Sequence, residues 1–223
     1  MDVSSRLSRL VNSESAEFVL VLRVEDIRWL TGFTGGTAQL LVHRGSHEAW
    51  LLVDGRYFER AVDETAASSA FLNIERVVPE VSADEMIARI VGASSVAVDP
   101  THLTAHFMNV LQSHCTVVHE RTQLDDLRRV KDEAEISLIA SAATIADNAL
   151  LSVVADGLVG KTEKQIRNRL DHLMREAGAD DVAFDTIVAT GPLGARPHHE
   201  PSDAIVEDGH GVVIDFGAMV QGY

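Results

Sequence analysis

Two stretches near the C-terminal end of the sequence carry side chains suited to chemistry. ARPHHEPSD, residues 195–203, sets His198 and His199 directly after Pro197. An imidazole can take or give a proton near neutral pH, so a histidine held beside a substrate suits acid–base work. Adjacent residues on an extended chain face opposite sides, so at most one of the two points into any one site. VVIDFGAMVQGY, residues 212–223, runs from an apolar strand-like segment into Asp215, followed by Phe216 and Gly217. A carboxylate at a strand end beside a glycine is a reasonable ligand for a hard metal ion. Taken alone, each is also what an ordinary surface loop or strand end looks like.

Other candidates fail on spacing. Gly160–Lys161–Thr162 ends like a phosphate-binding loop, but the position where its first glycine belongs holds Ala155, and the preceding segment has a helical pattern. His114, Cys115 and His119 lie close together without the second half of a zinc site. Neither G-x-S-x-G nor H-E-x-x-H occurs. Cys115 is the only cysteine, so no disulfide forms within the chain, which fits a reducing cytoplasm.

The 223 residues are 46% hydrophobic, with 19 basic and 34 acidic side chains and a net charge of −15. Length and apolar content suit one large domain or two small ones. The acidic balance, with no basic block, argues against nucleic acid and anionic membrane as partners. The N-terminal segment has no continuous apolar run of signal-peptide type, and no stretch is expected to span a membrane.

The elements that must hold these residues alternate between strand and helix, which predicts an α/β layer structure. Ser4 or Ser5 is expected to cap a helix carrying Leu7, Leu10 and Val11, with a strand at 18–22 and a turn-rich stretch over 26–36. Strands are expected over 38–44 and 48–54, joined by a turn at Gly45–Ser46–His47, and again at 71–78, 95–98 and 115–118. Helices are expected over 56–62, 83–91 and 104–112. The charged segment near residue 122 leads into a long helix opened by Asp132 and Glu135, an acidic capping box. Its apolar stripe is Ile136, Ile139, Ala140, Ala143, Ala146, Leu150 and Val153. A second capping box, Thr162 with Gln165, opens a helix that carries Ile166, Leu170, Leu173 and Met174 and ends at Gly178. Strands at 184–190 and 212–215 flank the histidine loop, and the domain boundary falls near 122–130.

Taken together, IRWLTGFTGGTAQLLV, LLVDGRY, LRRVKDEAEI, FDTIVATG, ARPHHEPSD and VVIDFGAMVQGY give a chain that resembles the pita-bread metallopeptidases of the Xaa-Pro aminopeptidase and prolidase group, throughout its length and in the family's order. The resemblance implies a creatinase-like N-terminal α/β domain over 1–125 and an incomplete pita-bread (α+β) catalytic domain over 126–223. It implies hydrolysis of the peptide bond before proline with two divalent metal ions, manganese first and cobalt or zinc as alternatives. Asp215 matches the first of the family's metal ligands; the others would lie beyond Tyr223, so the chain is expected to be the front portion of a longer enzyme, inactive alone and binding no metal tightly. His198, directly after Pro197, matches the histidine that contacts substrate and moves a proton; His199 does not. Asp54, Arg56 and Tyr57 are expected to organise the first domain or a dimer contact. The implied partners are proline-containing peptides and a second copy of the chain, without nucleic acid or membrane, in the cytoplasm. Two other readings stay open: a creatinase-type amidinohydrolase on the same scaffold, and a binding module that keeps the fold without the metals.

Overall fold

The computed structural model describes residues 3–12, 15–68, 70–119 and 124–223. The chain divides into two compact units, residues 1–130 and 131–223.

In the first unit, α1 (Val3–Asn12) buries Leu7, Leu10 and Val11 together with Arg6. Ser4 and Ser5 lie inside this helix and do not cap it. The Arg6 guanidinium lies 4.4 Å from the Trp29 ring centroid and donates to Trp29 O at 2.8 Å. That buried cation is therefore held by a ring face and a carbonyl at once. Strand β1 (Phe18–Val21) comes next.

The stretch expected to be rich in turns contains a helix, α2 (Val24–Thr31), which buries Ile27, Trp29 and Leu30. Ile27 and Leu30 share a face at i, i+3 spacing, and Glu25 and Asp26 favour the helix N-terminus. Gly32, at φ 83°, ends the helix in the left-handed conformation, and its N–H bonds to Arg28 O. The threonines and glycines beyond residue 31 conceal this periodicity in the sequence.

β2 (Gln39–His43), β3 (Ala49–Asp54), α3 (Phe58–Thr65), β4 (Leu72–Val77), α4 (Ala83–Val91), β5 (Ser95–Val98), α5 (Ala105–His114), β6 (Thr116–His119) and α6 (Leu124–Arg129) complete the unit. The six strands form one sheet in the order β4-β3-β2-β1-β5-β6. The pairs β1–β2 and β2–β3 are antiparallel; β3–β4, β1–β5 and β5–β6 are parallel. Alternation along the strands makes two cores. Val19, Val21, Leu40, Val42, Leu51 and Val53 pack with residues of α1 and α2. Phe18, Leu20, Leu41, Leu52, Val96 and Val98 pack with Ile87 and Val91 of α4 and Leu111 of α5. Both faces are covered, which is why these strands read as unbroken apolar runs.

The second unit begins with α7 (Glu133–Ala155), whose Asp132–Glu135 capping box is formed as expected. The expected stripe packs only in its later part: Val153 is buried and Ala146 and Leu150 lie against the core, while its earlier residues turn outward. Glu135, Ala142, Ala149 and Val153 are buried, while Ile136 and Ile139 are 48% and 42% exposed. The capping box explains the rotation: Glu135 turns inward to bond Asp132 N at 2.7 Å and is itself buried. Small Ala142 and Ala149 then join a core with Ile166, Leu170 and Met174. Contrary to expectation, α7 is long and apolar enough to cross a membrane by length and composition. In this structure one of its faces packs within the unit.

Helix α8 (Glu163–Glu176) has the second capping box, Thr162 with Gln165. Ala177 is its C-cap, and Gly178 comes after it at φ 100°. Two short two-stranded ladders complete the unit: β7 (Asp181–Val182) with β10 (Ala218–Met219), and β8 (Ile187–Thr190) with β9 (Val212–Asp215). β8 is shorter than expected, and Phe184 is 46% exposed outside it. At Gly217 an added Cβ would meet Ala183 Cβ at 3.2 Å, so the two backbones approach closely there.

Candidate functional site

The segment after β8 is a 3₁₀ turn, Gly191–Ala195, and beyond it runs the loop that bears the two histidines. Residues 202–206, past the histidines, are laid across the start of α8. Lys164 N donates to Ser202 O at 3.2 Å, Glu163 N to Ala204 O at 3.1 Å, and Val206 N to Lys161 O at 2.9 Å. The first N–H groups of a helix have no partner within it, and these two loop carbonyls supply partners to α8. Val206 is buried in the core of the unit.

At the centre of this junction is Glu163, the first residue of α8, fully buried at 0% exposure. Its Oε1 accepts from Thr190 N at 2.8 Å. Its Oε2 accepts from His199 Nε2 at 2.8 Å, Ser202 N at 2.9 Å and Ser202 Oγ at 2.7 Å. Burial pushes the Glu163 carboxyl up, but the bonds from His199, Thr190 and Ser202 outweigh it and hold the group at about 2. The carboxylate is therefore ionised at neutral pH, and the His199 nitrogen facing it, Nε2, carries a proton.

His199 is buried and His198 beside it is exposed. The two face different environments, as adjacent residues on an extended chain should. Asp215 ends β9 opposite Ile187 and is exposed. Among the described residues, no group of three or more His, Cys, Asp or Glu side chains is placed to hold a metal ion, so the structure does not gather Asp215 and His198 into such a centre.

The DGRY turn is a local structure. Arg56 Nη2 and Nε bond the two Asp54 carboxylate oxygens at 2.7 and 3.1 Å, and Arg56 N bonds Asp54 Oδ1 at 2.9 Å. Tyr57 packs perpendicular to the ring of buried Phe33, with 6.1 Å between ring centroids. Cys115 is half-buried, burial pushes its thiol up, and its Sγ donates to Leu111 O at 3.1 Å. None of this activates it as a nucleophile.

Residues 4–130 match the Creatinase/Prolidase N-terminal domain, and residues 137–223 match Metallopeptidase family M24. The chain belongs to the creatinase and prolidase family. The Xaa-Pro dipeptidase of Pyrococcus horikoshii is 28% identical over 98% of this chain and 60% of its own length. Among solved structures, the Xaa-Pro dipeptidase from Bacillus anthracis superposes with a TM-score of 0.85 at 26% identity, covering 100% of this chain and 62% of that one. The X-Pro aminopeptidase from Thermotoga maritima gives 0.80 at 29% identity, over 97% and 61%. The chain thus spans about three-fifths of the length of these relatives. The resemblance carried by the motifs is borne out, and so is the fold: a creatinase-like α/β domain followed by part of a pita-bread metallopeptidase domain.

Membership of this metallopeptidase family implies divalent metal ions. The described residues do not fit such a centre by themselves. Asp215, the expected ligand, is a single carboxylate, and a divalent ion held by protein oxygens needs several ligands. Asp215, His198 and Glu163 all lie within the stretch that matches family M24, and the histidine loop is built on Glu163. Sequence reasoning passed over Glu163 because an acidic residue after a helix N-cap is explained by the helix dipole alone. The nearest signal was Ser202 in EPSD, a turn-forming residue.

Proposed function

We propose that this chain is part of a peptidase that cleaves the bond before proline, with residues 1–125 as its creatinase-like domain and 126–223 as part of its catalytic domain. The observation that carries the reading is the family match across both units, together with relatives named as Xaa-Pro dipeptidase and X-Pro aminopeptidase. In this reading His198 contacts substrate and moves a proton near the scissile bond. Its exposure on a loop tied to α8 and to the end of β8 leaves it open to a peptide. Asp215 is one ligand of a two-ion centre, with manganese as the preferred metal. The substrates are proline-containing peptides, dipeptides or longer. The protein works in the cytoplasm as a homodimer. The 223-residue chain alone is inactive, because one strand-end carboxylate does not hold a metal pair.

The test is to express the open reading frame that encodes this chain, load the product with manganese, and assay Xaa-Pro dipeptides and Xaa-Pro-containing peptides. Cleavage before proline is expected, abolished by Asp215→Asn and strongly reduced by His198→Ala. Hydrolysis of an amidino substrate in place of the peptide, or full activity in both variants, would overturn the reading. The 223-residue chain assayed by itself is expected to show no turnover.

A further inference from the structure

We propose that Glu163 and His199 are positioning residues that hold the His198 loop in place, a role that rests on His198 being the residue that meets substrate. One buried carboxylate gathers donors from three separate parts of the second unit. These are the end of β8 through Thr190 N, the turn after the loop through Ser202 N and Oγ, and the loop through the His199 ring. His199 is the residue next to His198, so the bond from its ring pins the backbone that carries His198. The side-chain exposures of His199 and Glu163 are 7% and 0%, so water does not compete for the bond. Charge-assisted bonds of this kind are short and strong, and a buried carboxylate that loses a donor is left under-satisfied.

The loop has few other anchors. The Lys164–Asp203 ion pair, 3.0 Å long, is exposed at 47% and 81% and is worth little. The backbone bonds to α8 begin at Ser202. Between Arg196, whose N–H bonds Leu193 O, and Ser202, the His199–Glu163 contact is the side-chain tie found among the described residues. The adjacent histidines therefore divide the work: the buried one orients the exposed one. Thr190 takes part only through its backbone, because its buried Oγ1 has no partner among the described residues.

The experiment is nuclear magnetic resonance on the 223-residue chain, reading backbone and histidine-ring order and amide exchange over residues 197–203, with β8 and α8 as internal references. In His199→Leu, loop order is expected to fall from a rigid value of about 0.85 to below about 0.6. Loop amides are expected to exchange about tenfold faster while β8 and α8 are unchanged. His199→Gln, whose amide can donate to the same oxygen, should restore most of the order. Ser202→Ala should loosen the loop by a smaller amount, and Thr190→Val should leave it as it is. Should Glu163→Gln fail to fold, the His199 pair and Ser202→Ala still decide.

Unchanged loop order in His199→Leu would overturn the proposal. So would a loss spread evenly over α8 and β8, which would make the bond part of general packing, or a failure of His199→Gln to rescue. The peptidase reading fails separately, through undiminished cleavage by His198→Ala in the manganese-loaded product of the open reading frame. The loop measurements need neither metal nor turnover.

Discussion

Tyr223 donates its phenol proton to Glu135 Oε1 at 2.6 Å, across 88 positions of sequence. The other oxygen of the same carboxylate accepts from Asp132 N at 2.7 Å and closes the capping box of α7. One buried acid thus starts the long helix and ties down the segment after β10. A hydrogen bond to a charged group is worth about 1.5–3 kcal/mol. Tyr223→Phe keeps the ring and removes only this donor, so it should destabilise the second unit by that amount. Both tryptophans, Trp29 and Trp50, lie in the first unit, so their fluorescence does not report on this loss. Amide exchange in α7 and α8 does, and unchanged protection there would show that the contact carries no stability.

A corresponding tie in the first unit joins α2 to α6. Asp26, 4% exposed, accepts from Arg23 Nε and Nη2 at 2.8 Å each and from Arg128 Nη1 at 2.7 Å. The hydrogen bond to Asp26 is the largest influence on the Arg23 guanidinium and raises its affinity for the proton. Breaking a buried pair by removing one member costs about 3–5 kcal/mol when the other charge is left without compensation, but Arg23 keeps its bond to Asp125 at 2.5 Å. Asp26→Ala should therefore cost less than that range, about 1.5–3 kcal/mol, since both arginines reach partial solvent and Arg23 keeps a carboxylate partner. Trp29 lies on the same helix as Asp26, and its fluorescence during urea unfolding gives the measurement. A midpoint shift equivalent to less than about 1 kcal/mol would mean that the network is ornamental.

The two networks show where the sequence can be read and where it cannot. Capping boxes at Asp132 and Thr162 are legible because their geometry is local and uses fixed offsets. The inner strands of the first unit, β1, β2, β3 and β5, are legible because they are buried on both faces. The face of the first half of α7 is not, since Ile136 and Ile139 are as apolar as any residue that packs, and the rotation is set by an acid, Glu135; Ala146, Leu150 and Val153 pack as their spacing suggests. The short ladder β7–β10 is two residues a side, too short to leave a periodic signal. Asp215 and His198 could be singled out as residue types, but their family roles came from resemblance. Glu163 was illegible because its partners, Thr190, His199 and Ser202, lie 27, 36 and 39 residues away.

Glu163 also makes the second unit sensitive to acid. Its carboxyl is lowered from 4.5 to about 2 in the folded chain. A lowered folded value means stability that is present above the unfolded value and lost as pH falls through the folded one. The full shift corresponds to an upper bound on the order of 3 kcal/mol. The second unit should therefore lose stability between about pH 5 and pH 2. In Glu163→Gln that part of the loss should be absent, on top of a lower stability at neutral pH. Denaturant midpoints followed by circular dichroism at several pH values supply the curve. Parallel curves for the two proteins would assign the acid sensitivity to other carboxylates.

The face of α7 turned away from the unit's core gives the last prediction. Ile136, Ile139, Leu151 and Val154 are 48%, 42%, 67% and 53% exposed. With Ala140 and Ala143 they recur at helical spacing and form one apolar stripe, interrupted by Asp147. Exposed apolar surface gathered on one helix face is a site of association or aggregation. The stripe contributes little to the fold of the unit, because its side chains remain in water. Leu151→Lys together with Ile139→Glu should therefore leave the unfolding midpoint within about 0.5 kcal/mol of the parent while reducing dye binding and concentration-dependent light scattering. A large stability loss would show that the stripe is packed in solution. Unchanged scattering and dye binding would place the association surface elsewhere, on Phe184 and Val213 of the β8–β9 region, which are 46% and 48% exposed.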